Sequence, residues 1–338
     1  MARQQRLQTL LERGIEALNL GDFEAAETAL EQCQRIDRKH PEVMILDGEL
    51  SLVAGEPGEA EQRFRDALAA APGSVGARVG VAKALLHQLQ DDEDAEARRR
   101  AEEALAVLAP LAGEADALLV RVGVIASLDG EHPDAAAILE EMGAAIEEFP
   151  ALALDGAAVI AHFDQARALR WLARAEREDE LRADALYEVG CVHADAEEQG
   201  PQVAAWRKVW ELDGEEDVPE LADADVFEEM AQGALDELPA SLTERLERVA
   251  ILIDDRPSLD MVQEGVDPRS LGLFTGTPMP AEHAEVPTLT HIHIFKRNLE
   301  RTCADLEELE EQVRVTVWHE TAHFFGLDED EVAELGLE

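Results

Sequence analysis

The chain has 338 residues, more than a single hydrophobic core usually organises, so its length predicts two domains or a solenoid followed by a domain. Apolar residues make up 46% of the chain but aromatic residues only 4%, and Ala, Leu and Glu dominate, which favours closely packed helices over a β-sandwich or barrel. The formal charge of −46 would repel nucleic acid and anionic membrane surfaces, so neither is an expected partner.

The sequence also predicts a cytoplasmic protein with reduced cysteines. It has no apolar run near the ~20 residues that span a bilayer, and its first residues lack the pattern of a signal peptide. Its three cysteines, Cys33, Cys191 and Cys303, are odd in number and far apart, which does not fit a disulfide framework or a cysteine-based zinc site.

A period of 34 residues marks the front of the chain. This offset aligns Gly14 with Gly48, Ala26 with Ala60, and Leu30 with Phe64. Each unit contains two helical patterns, which run from Leu7 to Leu20, Glu24 to Ile36, Met44 to Ala54, and Glu59 to Ala70. The period and the alternation of small and large residues resemble the tetratricopeptide repeat. That resemblance implies stacked helical pairs whose groove binds a peptide or protein partner, although a plain scaffold or dimerisation arm fits the period equally well.

Later units are degenerate, and we expect five or six units in all up to about Asp213. A helical pair between Asp155 and Ala175 has no clear register. An acidic stretch then suggests a hinge, so the predicted domains are residues 1–213 for the repeats, 214–219 for the hinge and 220–338 for a second domain. We expect a fragment that begins near Val218 to supply its own core.

The second domain has the pattern of a small α+β fold, so the predicted class is mostly α, an α-solenoid followed by an α+β domain. Its predicted elements are a helix at Phe227–Leu238, strands at Val249–Ile253, Leu271–Gly276 and Thr290–Phe295, and a helix at Leu306–Phe325. The third strand alternates so that His291 and His293 share one face.

Ionisable residues interrupt the apolar surface of the last predicted helix. His319 and His323 are four residues apart, so their imidazoles lie on one face and can converge on one ion, and we expect them to bind Zn²⁺. Glu320, beside them, is the candidate catalytic residue, because its carboxylate could take a proton from a water that attacks a carbonyl. The pattern is HExxH, which is a more specific signal of a metal site than a lone histidine.

The third zinc ligand should follow a turn at Gly326. Three acids come next, and the predicted ligand is Glu329, with Asp328 as the alternative. Asp330 fits better as the start of a final helix, Asp330 to Leu335, where its charge favours the helix dipole.

Together these motifs resemble the minimal zincin-like metallopeptidases of bacteria over about the last third of the chain. The shared features include the strand before Pro257, the Leu271–Gly276 segment and the HExxH helix followed by a glycine. Two positions depart from the family: Glu329 stands where an aspartate is expected, and Phe274 stands where a tyrosine is common.

The sequence does not identify the residue that would donate a hydrogen bond to the oxyanion. The only tyrosine, Tyr187, lies in the repeat region, and no methionine follows His323. His291 or His293 could serve as the donor, but histidines on a strand face are more often surface residues.

The leading hypothesis is therefore a zinc-dependent peptidase whose repeats recruit a peptide or protein substrate or partner. The alternative is a non-catalytic interaction scaffold with a structural or vestigial zinc site. An acidic adaptor without metal is a third hypothesis.

Overall fold

The computed structural model describes residues 2–89, 94–111, 113–238, 250–275 and 291–327. The chain divides into two compact units, Met1–Glu188 and Val189–Glu338. The predicted fold class is confirmed: an array of helical pairs is followed by a mostly helical domain with a small sheet.

The first unit is built from helices that pack against their neighbours in sequence. They are α1 (Ala2–Asn19), α2 (Phe23–Asp37), α3 (Pro41–Val53), α4 (Pro57–Ala70), α5 (Val75–Gln88), α6 (Asp94–Leu108), α7 (Ala115–Ala126), α8 (Ala135–Glu148) and α9 (Leu152–Ala175). The helix α10 (Arg182–Asp195) crosses from the first unit into the second. Helices α2 to α4 match the predicted bounds to within three residues at each end, whereas α1 begins five residues before the predicted start at Leu7.

Small residues at repeat positions let the paired helices approach closely. The ring of Phe64 on α4 is fully buried, and a Cβ atom added to Gly48 would lie 2.8 Å from it. Gly14, one period before Gly48, is also closely approached, by Leu46 on α3, at 2.7 Å. The two glycines that the 34-residue period aligns are therefore both positions where a large side chain from another helix packs against the backbone.

The helix α9 consists of two helical halves separated by a kink. Asp164 interrupts α9 with non-helical angles, φ −139° and ψ 61°. Its Oδ1 accepts a hydrogen bond from the backbone N–H of Arg167 at 3.1 Å, so it acts as the N-cap of the second half. This is the helical pair that the sequence places between Asp155 and Ala175. With its two halves counted as a pair, six pairs precede Gly214 in the described residues, which agrees with the five or six units expected.

The second unit combines helices with a three-stranded sheet. After α10 come α11 (Gln199–Asp213), α12 (Ala224–Asp236), β1 (Ala250–Asp254), α13 (Leu259–Gln263), β2 (Gly272–Thr275), β3 (His291–Phe295), α14 (Lys296–Thr302) and α15 (Leu306–Phe324). The strand order is β1-β3-β2, with β1 parallel and β2 antiparallel to β3.

One face of this sheet forms the core of the unit. Ile292 and Ile294 on β3 are fully buried and pack with Phe227 on α12 and with Val313 and Val317 on α15. The alternation of β3 therefore turns His291 and His293 to the opposite face, away from α15. The core thus fixes which side of the sheet the HExxH helix occupies.

The end of α11 is held by arginines from later parts of the second unit. Arg269 donates to both carboxylate oxygens of Asp213, at 2.8 and 3.1 Å, and Arg301 donates to Oδ2 at 2.9 Å. Arg297 donates to the backbone carbonyl of Asp213 at 2.9 Å, and Arg256 lies 3.9 Å above the ring of Trp210. The residues just before the predicted hinge at 214–219 are thus tied to the sheet region, and the predicted domain bounds stay a prediction.

Cys33, Cys191 and Cys303 are all free thiols, as expected. Within the described parts of the chain, no helix is both long and apolar enough to cross a membrane.

Candidate metal centre and active site

The site lies at the C-terminal end of α15, which has clear start and stop signals. Asp305 caps its beginning, since its Oδ1 accepts hydrogen bonds from the backbone N–H groups of Glu307 and Glu308, both at 3.0 Å. Val313 and Val317 bury one face of the helix in the core. The next turn of that helix carries the three residues of the HExxH pattern.

His319 and His323 face one another as the spacing predicts. Their Nε2 atoms lie 3.0 Å apart, and their ring planes are at 80°. Two nitrogens that each bind a tetrahedral zinc ion at the usual bond length lie about 3.3 Å apart, so the pair fits one ion with little movement. Two imidazoles that converge on one point are the nitrogen half of a typical zinc site.

The turn after α15 prepares His323 as a ligand. Gly326 has φ +87°, a left-handed conformation that glycine adopts without strain, and the helix ends just before it. This turn brings the carbonyl of Leu327 to 3.0 Å from Nδ1 of His323. Because a carbonyl can only accept, this contact favours the tautomer with the proton on Nδ1, which leaves the lone pair on Nε2 for a metal.

Glu320 lies beside the histidines, under β2, and is only 7% exposed. Its Oε2 accepts a hydrogen bond from the backbone N–H of Phe274 at 2.6 Å. A short bond from an N–H group to a carboxylate is charge-assisted, which offsets part of the cost of burying that charge.

A small cavity of about 210 Å³ opens next to His319 and Glu320. Its walls come from the loop and strand around Gly272 and from the turn of α15 before the histidines: Ser270, Leu271, Gln312, Val315 and Thr316. None of these five side chains is charged, so the ionisable groups that line the cavity are those of His319 and Glu320.

The predicted third ligand lies outside the described residues, as do Asp328, Asp330 and the helix predicted to follow. Within the described ranges, no group of three or more His, Cys, Asp or Glu side chains is arranged to hold a metal. Two imidazoles followed by three acids are nevertheless a donor set that suits Zn²⁺, which His319 and His323 would hold, and the choice of Glu329 over Asp328 as the third ligand stays a prediction.

The histidines of β3 are not brought to this site. They occupy the sheet face turned away from α15, and Nδ1 of His293 lies 2.9 Å from Oδ2 of Asp254 on β1. Two contributors to the site were missed from the sequence, the N–H of Phe274 and the space at Gly272. The Leu271–Gly276 segment marked their position, but nothing in its pattern pointed to Glu320.

These features define a helix with an HExxH pattern set against a small mixed sheet, which is the arrangement of zincin-like domains. Residues 246–337 match the family model described as zincin-like metallopeptidase. The resemblance inferred from the motifs is thereby confirmed for the C-terminal region.

The solved structures that are similar to this chain include the following two. One is a thermophilic TPR protein of Thermus thermophilus, at 24% identity over 54% of this chain and 98% of that chain, with a TM-score of 0.45. The other is pilF of Pseudomonas aeruginosa, at 15% identity over 64% of this chain and 96% of that chain, with a TM-score of 0.44. No curated protein matches the chain.

Proposed function

We propose that this protein is a zinc-dependent peptidase whose repeats bind a peptide or protein partner. The observation that carries the proposal is the pairing of His319 and His323, whose Nε2 atoms lie 3.0 Å apart beside the buried carboxylate of Glu320. The match of residues 246–337 to a metallopeptidase family supports the reaction class.

In this proposal each residue has a separate task. His319, His323 and Glu329 hold the ion, and Leu327 fixes the tautomer of His323 through its carbonyl. A bound zinc ion supplies Lewis-acid activation of a water molecule and of the scissile carbonyl. Glu320 accepts the proton of the attacking water and delivers it to the leaving amine.

The helical repeats would recruit the substrate or partner. Arrays of helical pairs expose long surfaces suited to extended peptides. The formal charge of −46 favours a partner with basic segments over an acidic one.

The test is Glu320→Gln, which removes the base but keeps the shape of the side chain. We expect zinc content near wild type and a loss of hydrolysis of at least about 100-fold, the usual contribution of a general base. Glu310→Gln is the matched control, because Glu310 is an exposed residue of the same helix. Zinc is measured by elemental analysis and hydrolysis with a library of fluorogenic peptides.

The same measurements separate the rival functions. Zinc retained by a wild-type protein without any hydrolysis would favour the scaffold with a structural zinc. A wild-type protein that binds no zinc would favour the metal-free adaptor.

A further inference from the structure

The strand β2 pairs with β3 along one edge, and its other edge faces α15. The backbone N–H of Phe295 donates to the carbonyl of Leu271 at 2.8 Å, and hydrogen-bonded pairs alternate along an antiparallel ladder. The backbone groups of Gly272 and Phe274 therefore point outward from the sheet. The N–H of Phe274 uses that direction to donate to Glu320.

Glu320 also lies directly against the α-carbon of Gly272. A Cβ atom added there would lie 2.7 Å from Cγ and 2.8 Å from Oε1 of Glu320, and 2.8 Å from Cγ2 of Thr316. Because the φ angle of Gly272 is not in the left-handed region, glycine is required at this position for space and not for conformation.

We propose that Gly272 and the N–H of Phe274 position the carboxylate of Glu320, so that β2 sets the orientation of the general base. Gly272 leaves the space into which the side chain fits, and Phe274 fixes its Oε2 atom. The base role of Glu320 rests on the proposed function, but its placement by β2 does not.

The loop that leads into β2 is itself anchored. The side-chain amide of Asn298 on α14 donates to the carbonyl of Pro268 at 3.0 Å and to that of Ser270 at 2.7 Å. The hydroxyl of Ser270 donates to the carbonyl of Gly272 at 2.9 Å. These bonds hold Gly272 beside the carboxylate of Glu320 and so fix the position of β2 against α15.

The first experiment is a double-mutant cycle on the full chain, with chelator present so that metal plays no part. Thermal unfolding is measured for wild type, Gly272→Ala, Glu320→Ala and the double variant. We expect Gly272→Ala to lower the Tm, and this fall to shrink by at least about half in the Glu320→Ala background, because the two clashing atoms of Glu320 are then gone and only the contact with Thr316 remains. Equal falls in both backgrounds would overturn the proposal. Gly233→Ala is the control, since a Cβ atom there meets nothing within 4 Å.

A second measurement decides the matter even if Gly272→Ala does not fold. In Glu320→Ala the backbone N–H of Phe274 loses its acceptor, so its hydrogen exchange should become about tenfold faster or more. The N–H of Leu273, which faces β3, should exchange as in wild type. Unchanged exchange at Phe274 would overturn the proposal.

Zinc binding separates this proposal from a general disturbance of the site. Gly272→Ala leaves His319 and His323 untouched, so its zinc affinity should stay within about threefold of wild type, while kcat for peptide hydrolysis falls about tenfold or more. A loss of zinc as large as that of His319→Ala would mean that Gly272 supports the whole centre and not the carboxylate. If wild type hydrolyses no peptide, the proposed function fails, and the cycle and the exchange data still decide the placement.

Discussion

The backbone of Gly80 on α5 lies so close to Phe64 on α4 that a Cβ atom at Gly80 would be 2.2 Å from Cδ1 of the ring. Gly80→Ala should therefore destabilise the first unit by about 1–3 kcal/mol, the usual cost of overpacking a core. Thermal or denaturant unfolding measures the loss. In a Phe64→Leu background the penalty should shrink, since the ring edge is absent. Gly58→Ala is the control, because nothing lies within 4 Å of its added Cβ atom, and it should be neutral or slightly stabilising.

The carboxylate of Asp213 is only 14% exposed and contacts Arg269 and Arg301. Asp213→Ala would leave two guanidinium groups without that partner, which should cost the second unit about 3 kcal/mol. Asp217→Ala, at an exposed acid four residues later, should cost little. Circular dichroism during heating gives both values.

The same contacts bear on where the folded C-terminal part begins. A fragment from Val218 lacks Trp210 and Asp213, whereas a fragment from Val189 keeps them. We expect the longer fragment to melt at a clearly higher temperature. Equal melting temperatures would support the boundary predicted at 214–219.

The pH dependence of the first unit should include a contribution from Glu61. Burial raises the pKa of this carboxyl, but hydrogen bonds from Gln88 and Arg65 outweigh it, so the pKa lies below its ordinary value of 4.5. A lowered folded-state pKa stabilises the fold above the unfolded-state value, and this stabilisation is lost as pH falls through the folded-state value.

Glu61→Gln should therefore melt below wild type at pH 7, by an amount that shrinks as pH falls below the ordinary carboxyl value of 4.5 and Glu61 of the wild type is protonated. Melting curves at several pH values give this difference directly. Glu31→Gln, which removes an exposed partner of Arg35, should show little difference at any pH.

The third zinc ligand can be identified by comparing three alanine variants. Glu329→Ala should weaken zinc binding by several kcal/mol, because it removes a ligand. Asp330→Ala should cost about 1 kcal/mol of stability and leave zinc in place, if Asp330 only caps a helix. Competition with a chromophoric chelator gives the affinities. Zinc binding as tight as wild type in Glu329→Ala, with a loss in Asp328→Ala, would transfer the role to Asp328.

The sequence is informative where a regular period or a short motif determines the structure. The alternation through Ile292 and Ile294 predicts the buried face of β3, and the four-residue spacing of His319 and His323 predicts their convergence. Both depend on geometry within one element, where spacing along the chain fixes direction in space.

Contacts between distant segments could not be predicted in this way. The bond from Phe274 to Glu320 joins residues 46 positions apart, and no spacing rule relates a strand amide to a helix carboxylate. Asp213 was assigned to the border of a hinge because acids follow it, yet its partners are arginines 56 and 88 residues later. Such pairs depend on how the elements pack, which only the fold reveals.

The arginine contacts of Asp213 can form only late in the synthesis of the chain. Arg301 is 88 residues beyond Asp213, so at about 5–20 residues per second the ribosome needs roughly 4 to 18 s to supply it. Throughout that interval α11 exists without the groups that anchor its end. A nascent chain that stopped before α14 could not complete the second unit, and its exposed apolar helices would be natural substrates for chaperones or proteases.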